Sequence, residues 1–426
     1  MQRLLFIAPE TPVETLLAAG MLAIAAEKLA PRSTTIICPE ALAPFYKNMP
    51  FPSETLTYIP DECADPLRLL HRLADAPAPD LCINARTTRD PFSDAIALNC
   101  RAAQTVGHAH PFGSPQSAAD DAAPHRYSRL APHSGVVKLE TQRHRDLLKA
   151  LDIDVESVPP AIWTTPADRA WADALLHHHQ LDPARTLILF PEPSHPLATW
   201  HGFPQGLVPP CRTAGLSIIA VGQSTRENDT AQLQAITASG IKVLDLRGQI
   251  SFFQTAELMH SVRAAVGLEN IFAHIACAVG CRNAVLLAGG TFGRWFPYSP
   301  LTAGITEPLH CLGCNWKCRY ESPYCAAAVA PFMFQVALHD ILNSPEAPKL
   351  PRLFVQHSDF GLAGPAYEGK IPFNDCYLNP DALPSLLYEI YHISTSNTPI
   401  FGMPTSLYGC KFHRVCVQVH PAGATP

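Results

Sequence analysis

The chain has 426 residues, of which 47% are hydrophobic and 16% charged, and its formal net charge is -6. That apolar share supports sizeable cores over two or three domains and excludes a disordered chain. The acidic balance argues against nucleic acid or an anionic membrane as partner, since both select basic patches.

The first residues, Met1-Gln2-Arg3 and the apolar stretch 4–8, are too short for a secretory leader and have no cleavage site after them. No apolar run approaches the length of a membrane span. The expected location is therefore the cytoplasm, where the 14 cysteines stay reduced. Cys38, Cys82 and Cys277 fall inside apolar patterns, where a reduced cysteine acts as a small hydrophobe.

Taken in chain order, residues 4–8 predict a buried strand and 14–29, rich in Ala and Leu, a helix ending near Pro31. Strands are predicted at 34–38, 56–59, 81–84 and 104–108, with helices at 41–48, 93–103 and 139–151. Residues 152–166 form a Pro-rich break without periodicity, read as an interdomain linker. The rhythm then restarts. Helices are predicted at 167–180, 253–260 and 271–279, and strands at 186–190, 216–221, 242–246, 264–267 and 284–288.

Strands alternating with helices imply parallel sheets covered on both faces. The expected fold is α/β: two facing Rossmann-like domains at 1–155 and 165–345, with the ligand cleft at the carboxyl ends of the strands. After Leu350 the rhythm fades, and 346–426, with Cys376, Cys410 and Cys416, reads as an extension packed on the core. No G-x-G-x-x-G follows the first strand, where Ala8-Pro9-Glu10-Thr11-Pro12 stands instead, and no P-loop occurs. An ordinary nicotinamide dehydrogenase is thereby disfavoured.

Two blocks carry chemistry. The first is Cys311, Cys314, Cys318 and Cys325, a C-x2-C-x3-C-x6-C run within residues 311–325. Four thiols in one short loop can converge on a single ion with tetrahedral sulfur ligation, and closed four-thiolate sites are usually structural. A structural zinc or iron is expected there, with His310 as an alternative ligand; free thiols or redox pairs are the other readings. The second block, 264–300, places His274 on an apolar helix, then a strand, then Gly289-Gly290-Thr291.

The second block resembles glycosyltransferase family 9, the ADP-heptose:lipopolysaccharide heptosyltransferases. The family shows Asp-Ser/Thr-Gly, two residues, then His-Leu-Ala-Ala-Ala-Leu-Gly; here the stretch runs from Glu269-Asn270-Ile271 through His274-Ile275-Ala276-Cys277-Ala278-Val279-Gly280. A strand and a Phe-Gly-Pro-Thr turn follow in the family, often with Arg-Trp and Pro-Tyr; here these are Leu287-Ala288-Gly289-Gly290-Thr291, Arg294-Trp295 and Pro297-Tyr298. Val243-Leu244-Asp245-Leu246-Arg247-Gly248 resembles another strand end of the family, and 186–191 with Trp200 resembles its His-Pro-Gly…Lys-x-Trp region. The first strand with Val13-Glu14 falls where the family has its own first strand and a Gly-Asp pair. The resemblance covers roughly 1–330 and is strong at 242–300. The chain departs from the pattern with Glu269 for Asp, Ile271 for Gly, and Ala198-Thr199 where Lys would precede Trp200. The cysteine run is similar to one in some family members and in autotransporter heptosyltransferases, which carry an iron-binding cysteine finger and use a protein acceptor.

The resemblance implies an inverting sugar transfer of GT-B type. The donor would be a nucleotide sugar such as ADP-heptose, and the acceptor a glycan, lipid-linked core or protein. Such a reaction needs a base for the acceptor hydroxyl and groups that stabilise the leaving diphosphate. Glu14 is the expected base and Glu10 its neighbour; the plainer reading of Glu14 is an acid favouring a helix N-terminus. Glu269, His274, Gly290, Thr291 and Arg294 are the expected donor contacts, Arg294 replacing the absent Lys. No catalytic metal is expected. The alternatives are a catalytically degenerate relative kept for binding or assembly, or another nucleotide-sugar enzyme such as an epimerase.

Overall fold

The computed structural model describes residues 1–60, 66–110, 127–133, 138–307, 309, 311–318, 320, 322–344, 348–357, 388–394 and 411–417. It forms two compact units, Met1–Thr165 and Pro166–Pro426.

In the first unit β1 (Arg3–Ile7), β2 (Ser33–Pro39), β3 (Ser53–Tyr58), β4 (Leu81–Asn84), β5 (Gln104–His108) and β6 (Arg129–Ala131) form one sheet in the order β3-β2-β1-β4-β5-β6. Every pairing is parallel, with Leu5 opposite Thr35 on one side and Cys82 on the other. Leu4, Leu5, Phe6 and Ile7 are fully buried, as expected for a strand covered on both faces. The helix Pro12–Leu29 begins where the Thr11 hydroxyl accepts the Glu14 N–H and Pro12 presets the first turn. It ends at Ala30, whose φ of 45° closes the last turn.

Residues 152–165 of the break belong to this first unit, which ends at Thr165. At Gly20 a Cβ would lie 1.8 Å from the Pro159 carbonyl oxygen, and Ala161 N–H donates to the Leu16 carbonyl at 3.2 Å. The Pro-rich strap thus runs directly across the helix at its one position without a side chain.

In the second unit β7 (Thr186–Phe190), β8 (Ser217–Ala220), β9 (Val243–Asp245), β10 (Ala264–Leu268), β11 (Asn283–Leu286) and β12 (Thr302–Thr306) repeat that topology as β9-β8-β7-β10-β11-β12. Beyond β12 the sheet continues through β13 (Arg352–His357) and β14 (Tyr388–Ser394) to β15 (Lys411–Val417). All its pairs are parallel except β14 with β15. Residues 346–426, set apart in the sequence reading, therefore contribute three strands to this sheet. Both units are doubly wound α/β folds, with the order of strands reversing at β1/β4 and at β7/β10.

Several helices escaped the sequence pattern, among them Pro66–Ala74 and Glu227–Ala238, and two others pack together. Phe203–Ala214 contains Pro209 and Pro210, which read as breakers. Pro209 has no N–H to give the Gln205 carbonyl, and that carbonyl instead accepts the Gln335 side-chain amide at 2.9 Å. Gln335 lies on the second helix of this pair, Pro331–Asn343. Between the two helices Trp200 is buried, stacked on Phe334 at 4.6 Å and edge-on to Phe203 at 4.9 Å. Its indole N–H donates to the Val329 carbonyl at 2.8 Å.

Trp200→Ala should destabilise the second unit by about 3–5 kcal/mol, the usual cost of removing a buried aromatic ring. Trp200→Phe should recover part of this, less the lost bond to Val329. Thermal or denaturant unfolding of both variants measures it, and an unchanged midpoint for Trp200→Ala would contradict the packing described.

Candidate functional site

In doubly wound sheets ligands bind beyond the carboxyl ends of the parallel strands. In the second unit this carboxyl edge is stitched together by hydrogen bonds. Beyond β7, the Glu192 carboxylate accepts the Gln223 N–H at 2.8 Å and the Ser224 hydroxyl at 2.7 Å, both beyond β8. The Glu192 carbonyl accepts the Asn270 side-chain amide at 2.6 Å, and Asn270 Oδ1 caps the next helix through Phe272 N–H at 2.8 Å. Beyond β9, Arg247 grips Asp245 with Nε at 2.9 Å and Nη2 at 2.8 Å, and also reaches the Thr230 hydroxyl at 2.9 Å. The Arg247 bonds hold the Asp245 carboxyl below its ordinary range. The strand end that resembled the family is thus an ion pair with a buried guanidinium and an exposed carboxylate.

Glu269 and His274 lie at the end of β10 and on the helix Ile271–Ala278. Both are buried, 5% and 3% exposed. Loss of water pushes the Glu269 carboxyl up to about 8, opposed in part by the Ala288 N–H. Burial therefore favours the neutral carboxyl of Glu269 over the carboxylate. Burial drives His274 down to about 4, against the hydrogen bond it makes to the Trp295 carbonyl. His274 is a neutral imidazole that tethers the loop beyond β11, and it carries no positive charge.

The turn Gly289-Gly290-Thr291 follows β11 and is gripped by the cysteine segment. Gly289 N–H donates to Cys325 Sγ at 3.3 Å. Gly313 N–H donates to the Gly289 carbonyl at 2.7 Å and Asn315 N–H to the Gly290 carbonyl at 2.8 Å. A Cβ at Gly290 would stand 2.2 Å from the Trp316 indole, and one at Gly289 would stand 2.8 Å from Leu312. Close packing of the cysteine loop is what requires glycine at both positions. Arg294 lies over the Trp295 ring at 4.4 Å.

Cys311, Cys314, Cys318 and Cys325 line one cavity of about 330 Å3, its open mouth included, together with Trp316 and Tyr324. None of the four is in a disulfide. Burial pushes the Cys325 thiol up to about 11; Gly289 N–H opposes this, and the nearby charges of Cys311, Cys314 and Cys318 add to it. The loop thus gathers the four thiols but does not converge them. Among the described residues no three His, Cys, Asp or Glu side chains are grouped so as to hold a metal ion. The metal expected at the four cysteines is thus left as a proposal, and His310 lies outside the described residues.

In the first unit Glu14 is half-buried and accepts the Thr11 hydroxyl at 2.8 Å, while its N–H returns to Thr11 at 3.3 Å. Glu10 belongs to a different cluster, which the sequence reading missed. Arg86, beyond β4 and only 5% exposed, reaches Glu10 Oε1 at 2.9 Å and pairs with Asp90. Tyr58 donates to the same Glu10 oxygen at 2.8 Å, and Arg86 Nε donates to the Ala8 carbonyl at 3.2 Å. Its one sequence signal is a cation placed directly past an apolar strand.

With this geometry in view, comparison with solved structures is informative about the fold. A glycosyl transferase family 9 protein of Veillonella parvula aligns at 13% identity and TM-score 0.62, over 80% of this chain and 97% of its own. The Escherichia coli ADP-heptose lps heptosyltransferase II aligns at 14% identity and TM-score 0.60, over 80% and 98%. The E. coli heptosyltransferase WaaC with ADP-2-deoxy-2-fluoro heptose aligns at 14% and TM-score 0.50, over 72% and 94%. The chain shares the fold of these glycosyltransferases. No protein-family model matches the chain, and no curated protein matches it either. No helix among the described residues is long and apolar enough to cross a membrane.

The buried Glu269 predicts a pH effect. Its folded pKa, about 8, lies above the ordinary 4.5, so the stability it contributes is fully present below about 4.5 and is lost as pH rises toward 8. Glu269→Gln should flatten that decline and melt higher than the wild type near pH 8, while matching it near pH 4.5. Melting temperatures across this range decide; parallel curves for the two proteins would mean that Glu269 is ionised in the fold.

Proposed function

We propose that the protein is an inverting, nucleotide-sugar-dependent glycosyltransferase of GT-B type that moves a heptose from ADP-heptose to a glycan, lipopolysaccharide-core or protein acceptor in the cytoplasm. The observation that carries this reading is the fold, shared over four-fifths of the chain with structures described as family 9 and ADP-heptose transferases. The sugar-nucleotide-like block adds support, because its buried Glu269 and His274 stand at the carboxyl edge of the second sheet.

In the proposed reaction a carboxylate of the first unit takes the acceptor hydroxyl proton. The oxygen attacks the anomeric carbon as the bond to the diphosphate breaks, and configuration inverts. Glu14 is the proposed base. Its hydrogen bond from Thr11 fixes the carboxylate at the start of its helix. On the second unit, neutral Glu269 would donate a hydrogen bond to a sugar or ribose hydroxyl. His274 would act through the loop it tethers at Trp295, and the backbone at Gly290 and Thr291, with the Arg294 cation, would face the departing diphosphate.

A structural zinc or iron at Cys311, Cys314, Cys318 and Cys325 is also proposed, supported by their common cavity. Such an ion would close the loop and supply nothing to the transfer step. A degenerate binding protein of the same fold is the rival reading, favoured by the departures at residues 198, 269 and 271 from the family pattern.

A thermal-shift panel of sugar nucleotides tests the donor, since a ligand bound to the native state raises its melting temperature. ADP-heptose should give a dose-dependent rise, and a glycosidic product should form with an acceptor. Binding without product would favour the degenerate protein, and no binding of any sugar nucleotide would end the proposal.

Glu14→Gln keeps size and hydrogen-bonding reach. Turnover should fall by about 10²–10⁴, the usual worth of general base catalysis, with donor affinity unchanged. Full turnover in Glu14→Gln would move the role to Glu10. For the metal, elemental analysis should find about one zinc or iron per chain in protein prepared without chelators. Metal-free protein with four freely titrating thiols would refute that part alone.

A further inference from the structure

We propose that Trp316 is a positioning residue that couples the cysteine loop to the donor site, so that nucleotide-sugar affinity depends on the state of the cysteines. The inference rests on the transferase reading above. It begins with an unusual backbone: Asn315 and Trp316 are consecutive non-glycine residues at φ of 51° and 62°. A bulky residue in this left-handed region costs energy and persists only where its surroundings hold it.

Here the surroundings are specific. The Trp316 indole fills the space above Gly290 that a Cβ would occupy, and it stacks on the His195 ring at 4.3 Å with 9° between the planes. His195 follows β7, and Gly290 follows β11. One side chain of the cysteine loop therefore joins two separate strand ends at the carboxyl edge. The Gly289 N–H and the Gly289 and Gly290 carbonyls are all bonded to the cysteine segment. Through these bonds and the stack, the turn has no position independent of the loop. Anything that rearranges Cys311, Cys314, Cys318 or Cys325 must move Gly289–Thr291 or break those bonds.

Because such coupling is reciprocal, a donor that orders the turn must in return restrain the cysteines. No bond to the thiols and no electron transfer is involved; the link is mechanical.

The test uses the full chain with Trp316→Ala and Trp316→Phe, the latter keeping a ring for the stack. Donor affinity is measured with ADP-heptose. In parallel, mass spectrometry follows the rate of iodoacetamide alkylation at the four cysteines with and without donor. Wild type should bind the donor, and the donor should slow alkylation. Trp316→Ala should lose about tenfold in affinity, within the range usual for coupled sites, and should lose the protection as well. Trp316→Phe should retain most of both. Undiminished affinity and protection in Trp316→Ala would overturn the proposal.

A wild type that binds no sugar nucleotide would instead refute the transferase reading. The clamp is then judged from the ligand-free protein by hydrogen exchange at 286–292. Faster exchange there in Trp316→Ala, restored in Trp316→Phe, supports the clamp, and identical exchange overturns it. Exchange in β8 and β9, in the same unit but away from the clamp, serves as the check that Trp316→Ala remains folded.

Discussion

A parallel sheet buried on both faces leaves little place for charge except at its edges, where each charge needs a partner, and this constraint bears on both units. The strands β1, β7 and β10 consist almost wholly of residues excluded from water. Polar groups therefore collect where the backbone leaves the sheet, and each must be neutralised there. Cations are paired: Arg86 with Glu10 and Asp90, Arg247 with Asp245. Titratable groups without a counter-charge surrender theirs, as Glu269 and His274 do.

The same constraint explains the character of the candidate donor site. Burial favours the uncharged forms of both Glu269 and His274, so neither brings a full charge to this edge of the sheet. The loop beyond β11 is held at two points, by His274 through the Trp295 carbonyl and by the cysteine segment through Gly289 and Gly290. The cysteine run thus has a mechanical relation to the site whatever its thiols bind.

The two glycines show that packing can require what a motif reads as a ligand contact. In sequence, Gly289-Gly290 reads as backbone kept bare for a diphosphate. In the fold the bare faces are covered by Leu312, Cys325 and Trp316. Gly20 is similar: it lies within a helical run without any sequence signal of purpose, and the Pro159 carbonyl occupies the place of its missing side chain.

The βα alternation was legible from the sequence alone, because apolar runs of strand length separated by helical periods have one economical burial. From it came the α/β class, most of the first six strands in each sheet, and the restart after the Pro-rich break. The chemistry-bearing block at 264–300 and the four cysteines were also legible, since motif spacing is a local property. What only the tertiary structure decided depends on contacts between distant segments. The carbonyl that Pro209 orphans inside its helix is taken by Gln335, 130 residues beyond Gln205. The Arg86 cluster needs the ends of β1, β3 and β4 on one edge of the same sheet. The neutral states of Glu269 and His274 follow from burial, which residue identity does not encode, and the union of Trp316 with His195 and Gly290 exists only once β7 and β11 lie in one sheet.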